Sequence, residues 1–190
     1  GNWNGRYIAA STADYRVNSF DDQEPEYVRD IYVVYYDTVD KKYGYFWKMA
    51  DIPLFEASDI RMSDSYAIMD IIPLAKNSWE QDRTTYTYYT KIGEWDKWKR
   101  LSYGSSINGE GIYYPSIVDN HVAFYNEKLQ VIYCDLEKGD VGCFKVSKDG
   151  EEARYALLKN KNIVYYSKAN GTGRILVEAT ISAVKKRKAG

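Results

Sequence analysis

The side chains in this sequence best equipped for recognition are rings: 20 Tyr, 5 Trp and 5 Phe in 190 residues. A ring offers a large contact area with few rotors, and Tyr and Trp add a polar tip, so such residues stack on sugar faces or anchor a protein partner. Trp79 lies in a long excursion, 73–83, while Trp95 and Trp98 flank the hairpin that follows it, and Tyr15 and Phe20 lie in a long connection, 11–30. These five are the candidate binding residues, grouped as exposed aromatic loops for a protein or glycan partner. Packing inside the fold is the competing reading for Trp95 and Trp98.

Catalysis has less to draw on. His121 is the only histidine, so the chain builds no multi-histidine metal site and no His-paired nucleophile beyond that one ring; it reads as a half-exposed turn residue. Carboxylates are plentiful, Asp14, Asp70 and Asp119 among them. A glycosidase would need two of them about 5–10 Å apart across an aromatic-walled pocket, and the sequence brings no pair together. The acidic run 21–26 lacks the spacing of a calcium loop and reads as a solvated connection. No catalytic residue, metal ligand or cofactor is assigned. Asn170-Gly171-Thr172 is a formal glycosylation acceptor in a turn.

Composition narrows the partners. The net charge is −1 with 28% charged residues, so no whole-chain field draws the protein to nucleic acid or an anionic membrane. No stretch reaches the ~18 apolar residues of a spanning helix. The opening Gly1-Asn2-Trp3 carries neither an initiator Met nor a signal-like segment, and reads as a processed or excised start. Lys185-Lys186-Arg187-Lys188 reads as a basic terminal tail or linker, 185–190, beyond a single domain at 1–184.

The elements that must position these residues are strands. Tyr35-Tyr36, Tyr88-Tyr89, Tyr113-Tyr114 and Tyr165-Tyr166 place neighbouring rings on opposite faces, so both faces of each sheet need cover. A phrase recurs four times: Asn or Asp, two variable residues, then mostly apolar ones that open a strand. It begins at Asn4, Asp64, Asp119 and Asn160. Around the third copy the strands read 114–118, 122–125, 131–135 and 141–146, a four-stranded meander. The second copy sits within 59–62, 67–71, 85–91 and 98–103. The first unit begins at 7–10, continues at 31–36 and closes at 43–48; the fourth supplies 154–157, 163–166 and 174–180. The fold class is all-β, a β-propeller or propeller segment of about four blades built from four-stranded antiparallel meanders. Its terminal strands complete one shared blade, or further blades belong to a longer parent chain; a Tyr-rich sandwich is the alternative.

The stretch Tyr114-Pro115-Ser116-Ile117-Val118-Asp119-Asn120-His121-Val122-Ala123-Phe124, followed by Val131-Ile132-Tyr133-Cys134-Asp135-Leu136 and Lys138-Gly139, resembles the repeat of TolB-type propellers. The resemblance is best over 110–180, with Asp119-Asn120 and Lys161-Asn162 standing where the family usually has Asp-Gly. It implies a propeller that binds other proteins or gates access to a separate catalytic domain.

Cys134 and Cys143 admit a geometric test. If Lys138-Gly139 centres a two-residue hairpin turn, Glu137 faces Asp140 and Cys134 faces Cys143 at a non-hydrogen-bonded pair, where side chains come closest. That permits a disulfide, and two buried thiols on neighbouring strands is the other reading. A bridge would imply an oxidising compartment, extracellular or cell-envelope. The functional expectation is a non-enzymatic β-propeller binding or scaffold module for a protein or glycan partner; the alternative is a small glycoside-processing propeller using a carboxylate pair.

Overall fold

The computed structural model describes residues 3–21, 24–46, 55–57, 60–73, 86–103 and 112–189. They divide into two compact units, Gly1–Arg100 and Leu101–Gly190, and the described chain is mostly strand, in four antiparallel sheets.

In the first unit, β1 (Tyr7–Asp21), β2 (Glu24–Asp37) and β3 (Lys42–Phe46) form one sheet in that order. The segment 11–30, expected as a loop, is instead the outer length of a hairpin. Tyr7 pairs with Asp37 and the register runs on to Asp21 opposite Glu24, with one shift between Val17 and Ser19. Its acidic residues do not prevent pairing, because backbone groups that pair across two strands satisfy one another whatever the side chains do. Tyr15 and Phe20 therefore lie within β1 and not on a loop.

The second sheet is built from β4 (Phe55–Ala57), β5 (Arg61–Met62), β6 (Tyr66–Pro73), β7 (Tyr86–Lys91) and β8 (Lys99–Leu101). Its order is β4-β6-β7-β8, with β5 also on β6. Ala9 and Val33 from the first sheet meet Ile60, Met62, Ala67 and Met69 in one core, and Trp95 joins them from the turn after β7. The Trp95 ring stacks on Tyr35 at 5.2 Å and meets Tyr7 edge-on at 5.6 Å. Gly44 faces Tyr35 across β2 and β3, and a Cβ there would meet the Tyr35 ring. A side chain at 44 would thus push Tyr35 off Trp95.

The second unit opens with the meander expected around the third copy of the phrase. It comprises β9 (Ile112–Val118), β10 (His121–Asn126), β11 (Val131–Asp135) and β12 (Cys143–Lys145), in order β12-β11-β10-β9. A second sheet follows, β13 (Ala153–Asn160), β14 (Ile163–Asn170) and β15 (Gly173–Thr180). Ala123, Tyr125, Val131 and Tyr133 on one face of the meander bury against Ala156, Leu158, Val164 and Tyr166 of that sheet. The next residues along, Val122, Phe124, Ile132 and Cys134, are buried as well. Alternating side chains that are all buried mean both faces of β10 and β11 are covered.

The recurring phrase opens a strand in every copy: β1, β6, β10 and β14 begin two or three residues after Asn4, Asp64, Asp119 and Asn160. Its polar residues serve the turns. Asn4 Oδ1 accepts from the N–H groups of Arg6 and Tyr7, and Asn160 Oδ1 from that of Asn162, which is how Asn holds a turn locally.

Two further expectations are corrected. The connection between β11 and β12 is not a two-residue turn but carries a 3-10 helix at Gly139–Gly142. Cys134 still faces Cys143, their Cα atoms 3.9 Å apart and their sulfurs joined in a disulfide. The turn changed without shifting the register, because the loop kept the same number of residues on either side. The segment 185–190, expected as a tail, belongs to a helix, α1 (Ile181–Ala189), as far as Ala189. Ile181 and Val184, one turn apart, reach the core, while the Asn162 carbonyl and Oδ1 accept from the N–H groups of Ile181 and Ser182. Basic residues in its last turn suit the negative end of a helix.

Replacing the fully buried Trp95 with Ala should destabilise the protein by about 3–5 kcal/mol, the usual cost of emptying an aromatic site. Urea unfolding followed by far-UV circular dichroism measures this. A loss below about 1 kcal/mol would mean that Trp95 is not the ring this core is built around.

Candidate functional site

Two tyrosines occupy the same place in the repeat. Tyr114 and Tyr155 each stand five residues ahead of the turn phrase, at Asp119 and Asn160, on β9 and β13, the first strands of neighbouring sheets. Both have left-handed backbones, with φ of 48° and 56°, a conformation that costs an L-residue roughly 1–2 kcal/mol. Both lie where the pairing shifts: between Ala123 and Tyr125 in the β10–β9 ladder, and between Arg154 and Leu157 in the β13–β14 ladder. Such irregularities re-aim a side chain. Here they leave Tyr114 62% and Tyr155 57% exposed.

The rings converge on Tyr125, which is buried. Tyr114 stacks over it at 6.1 Å, Tyr155 meets it edge-on at 5.8 Å, and the two outer rings are 6.1 Å apart. Tyr113 closes the cluster at 5.3 Å from Tyr125. Burial raises the pKa of the Tyr125 hydroxyl, and its two tyrosine neighbours add to the rise, against the Arg154 and Arg174 guanidiniums, which lower it. The hydroxyl therefore stays protonated near neutrality and can donate a hydrogen bond.

The outer face of the last sheet carries both polar and apolar groups. Arg154 pairs across to Ser167, Ser167 to Leu176, and Leu157 to Tyr165, so these side chains share a face. Arg174 is tied down: its Nε donates to Ser167 Oγ at 3.0 Å, and its Nη2 donates to the carbonyls of Ser167 and Glu152, each at 2.9 Å. Arg154 is held differently, half-buried with a sealed Nε that has no hydrogen-bond acceptor. Leu157 and Leu176 are exposed, the latter by 73%. The exposed tyrosines have the composition of a protein contact surface, and the two exposed leucines lie on the face of the last sheet turned away from Tyr125.

The residues singled out from sequence fall elsewhere. Trp95 is only 1% exposed, so the structure corrects its assignment to an exposed platform: the ring is core. Trp98 is half-buried and packs against that same core. Trp79 and most of the excursion 73–83 lie outside the described residues, and so do the side chains of Tyr15 and Phe20. His121 is half-buried with its ring 5.5 Å from that of Tyr133, and burial lowers its pKa. Among the described residues no group of three or more His, Cys, Asp or Glu is placed to hold a metal ion. By sequence alone Tyr114 and Tyr155 are indistinguishable from the other rings of ring-rich strands. The signal that would have found them is their common offset from the turn phrase.

Of the carboxylates named from sequence, Asp70 has the most altered chemistry. It is buried on β6, where Thr87 Oγ1 donates to it at 2.7 Å and Arg61 Nη1 stands 3.8 Å away. Burial lifts its pKa from 3.8 to about 6, against the pull of Thr87 and Arg61. Asp119 is exposed at the turn between β9 and β10, in the other unit. No known protein-family model matches the chain, and no curated protein matches it.

Two measurements follow from this geometry. Tyr155→Gly should be more stable than Tyr155→Ala by about 1 kcal/mol, since only glycine adopts positive φ without penalty; the reverse order in chemical denaturation would contradict the left-handed backbone. For Asp70, a raised pKa means that its share of stability is complete below about pH 4 and lost as the pH rises through about 6. Asp70→Asn should remove that decline, worth roughly 3 kcal/mol by pH 7. Parallel stability-pH curves for the two proteins would show that Asp70 is not so buried.

Proposed function

We propose that this chain is a non-enzymatic binding module whose partner is a protein, docked on Tyr114, Tyr155 and Arg154. The observation that carries the reading is the pair of exposed tyrosines at equivalent repeat positions, each kept in a costly backbone conformation. Strain of that kind persists where surrounding structure over-determines it, and it gathers at binding sites. Tyrosine and arginine are also among the residue types that carry most of the energy of protein interfaces.

The TolB-type repeat and the propeller belong to the same proposal. Four antiparallel sheets, each with a strand opened by the same Asn or Asp phrase, support it. First strands line the central channel of a propeller, so Tyr114 and Tyr155 would face it. The Cys134–Cys143 disulfide supports an oxidising, extracellular or cell-envelope setting. The glycoside-processing alternative needs a convergent carboxylate pair, and Asp70, whose pKa is raised, sits in a buried contact with Thr87 and Arg61.

Selection of a random-peptide display library on the immobilised full chain, with a glycan array probed in parallel, tests the reading. Enriched peptides should lose about tenfold or more in affinity to the Tyr155→Ala protein, and the array should stay blank. Glycan binding, or peptides indifferent to Tyr155, would overturn the protein assignment.

A further inference from the structure

A second surface of the same unit carries chemistry that the tyrosine cluster does not use. Between β12 and α1 lies an open surface pocket of about 200 Å³, lined by Lys145, Val146, Ser147, Lys148, Asp149, Val184 and Arg187. That is more than ten times the ~10–15 Å³ that seats one water. Three cations, from β12, the turn beyond it and α1, line it against one carboxylate. Lys185 stands at 5.5 Å over the ring of Phe144 on the same strand as Lys145, and Lys186 is exposed on the next position of the helix.

The helix dipole accounts for basic residues in the last turn of α1. It does not account for Lys145 and Lys148, which come from β12 and the turn beyond it and face the same pocket. Nor does the dipole repel an anion decisively, being about half a charge at a helix end that also bears Lys185, Lys186 and Arg187. Lys145 is the most enclosed cation, its side chain 23% exposed, and it pairs with Asp149, whose own side chain is 94% exposed. An exposed carboxylate of that kind gives little net attraction and is easily displaced. A phosphate group, carrying about −1.5 to −2 charges and three acceptor oxygens, would outcompete the single charge of Asp149 for Lys145 while also meeting Lys148 and Arg187. Val146 and Val184 form the apolar wall of the site.

We propose that this pocket is a phosphate-binding site, taking the phosphate or pyrophosphate group of a ligand in the place now held by the Asp149 carboxylate. It is independent of the tyrosine surface, so either can fail without the other. Titration calorimetry of the full chain with inorganic pyrophosphate at low salt is the test. Lys148→Gln and Arg187→Gln should each weaken binding by about tenfold, and Asp149→Asn should strengthen it, because the competing carboxylate is gone. All three residues are exposed, so the variants should fold, with unchanged circular dichroism. Flotation with phosphatidylcholine vesicles, with and without a phosphoinositide, separates the sources of the phosphate. Retention on the phosphoinositide vesicles assigns a lipid headgroup, and pyrophosphate binding without retention assigns a soluble ligand. No heat at millimolar pyrophosphate, or binding unchanged in Lys148→Gln and Arg187→Gln, would overturn the proposal.

Discussion

The requirement that both faces of β10 and β11 be covered governs the second unit. Their residues are apolar in succession, Val122-Ala123-Phe124-Tyr125 and Val131-Ile132-Tyr133-Cys134, so no solvent-facing side exists for them. One face is met by Ala156, Leu158, Val164 and Tyr166 on the neighbouring sheet and by Ile181 and Val184 on the helix. At about 25 cal/mol per Å² of apolar area, this burial outweighs the local costs that the strands accept. The left-handed backbones of Tyr114 and Tyr155 are two such costs. They sit on the strands that the packing holds in place, β9 and β13, where relaxation would pull apart the sheet contact.

The same constraint separates structural rings from recognition rings. A ring on a face that another sheet covers becomes core, as Tyr133 and Tyr166 do. A ring at a pairing irregularity turns away from the ladder and keeps its solvent contact, as Tyr114 and Tyr155 do. Tyr125 belongs to both groups: it joins the core below and carries the outer rings above. The surface therefore rests on a rigid support, which lowers the ordering cost of binding.

The strand pattern was legible in the sequence where burial is two-sided and the turns are short. The meander at 112–145 and the pairing of Cys134 with Cys143 both follow from alternation and from counting residues out of a turn. The count succeeded although the turn contains a 3-10 helix, because register depends on the number of residues and not on the path they take. Legibility failed where charge was taken as a sign of a loop. Asp21 and Glu24 pair across two long strands, and the basic stretch after Val184 is helical, anchored by two apolar residues a turn apart. Ring residues were misplaced for a related reason: Trp95 sits in a turn by sequence, yet that turn folds under the sheet and inserts the ring between Tyr7 and Tyr35. Backbone strain at Tyr114 and Tyr155 leaves no mark on composition or periodicity, and only the alignment of the two repeats hints at it.

The central claim is that the packing of two adjacent sheets builds one tyrosine cluster from three strands, β9, β10 and β13. Its most direct test is a NOESY spectrum of the protein with its tyrosine rings specifically labelled. The account predicts cross-peaks from Tyr125 to both Tyr114 and Tyr155, whose ring centroids lie 6.1 and 5.8 Å from its own. Cross-peaks from Tyr125 to Tyr113 alone, with none to Tyr155 across the sheet boundary, would contradict it.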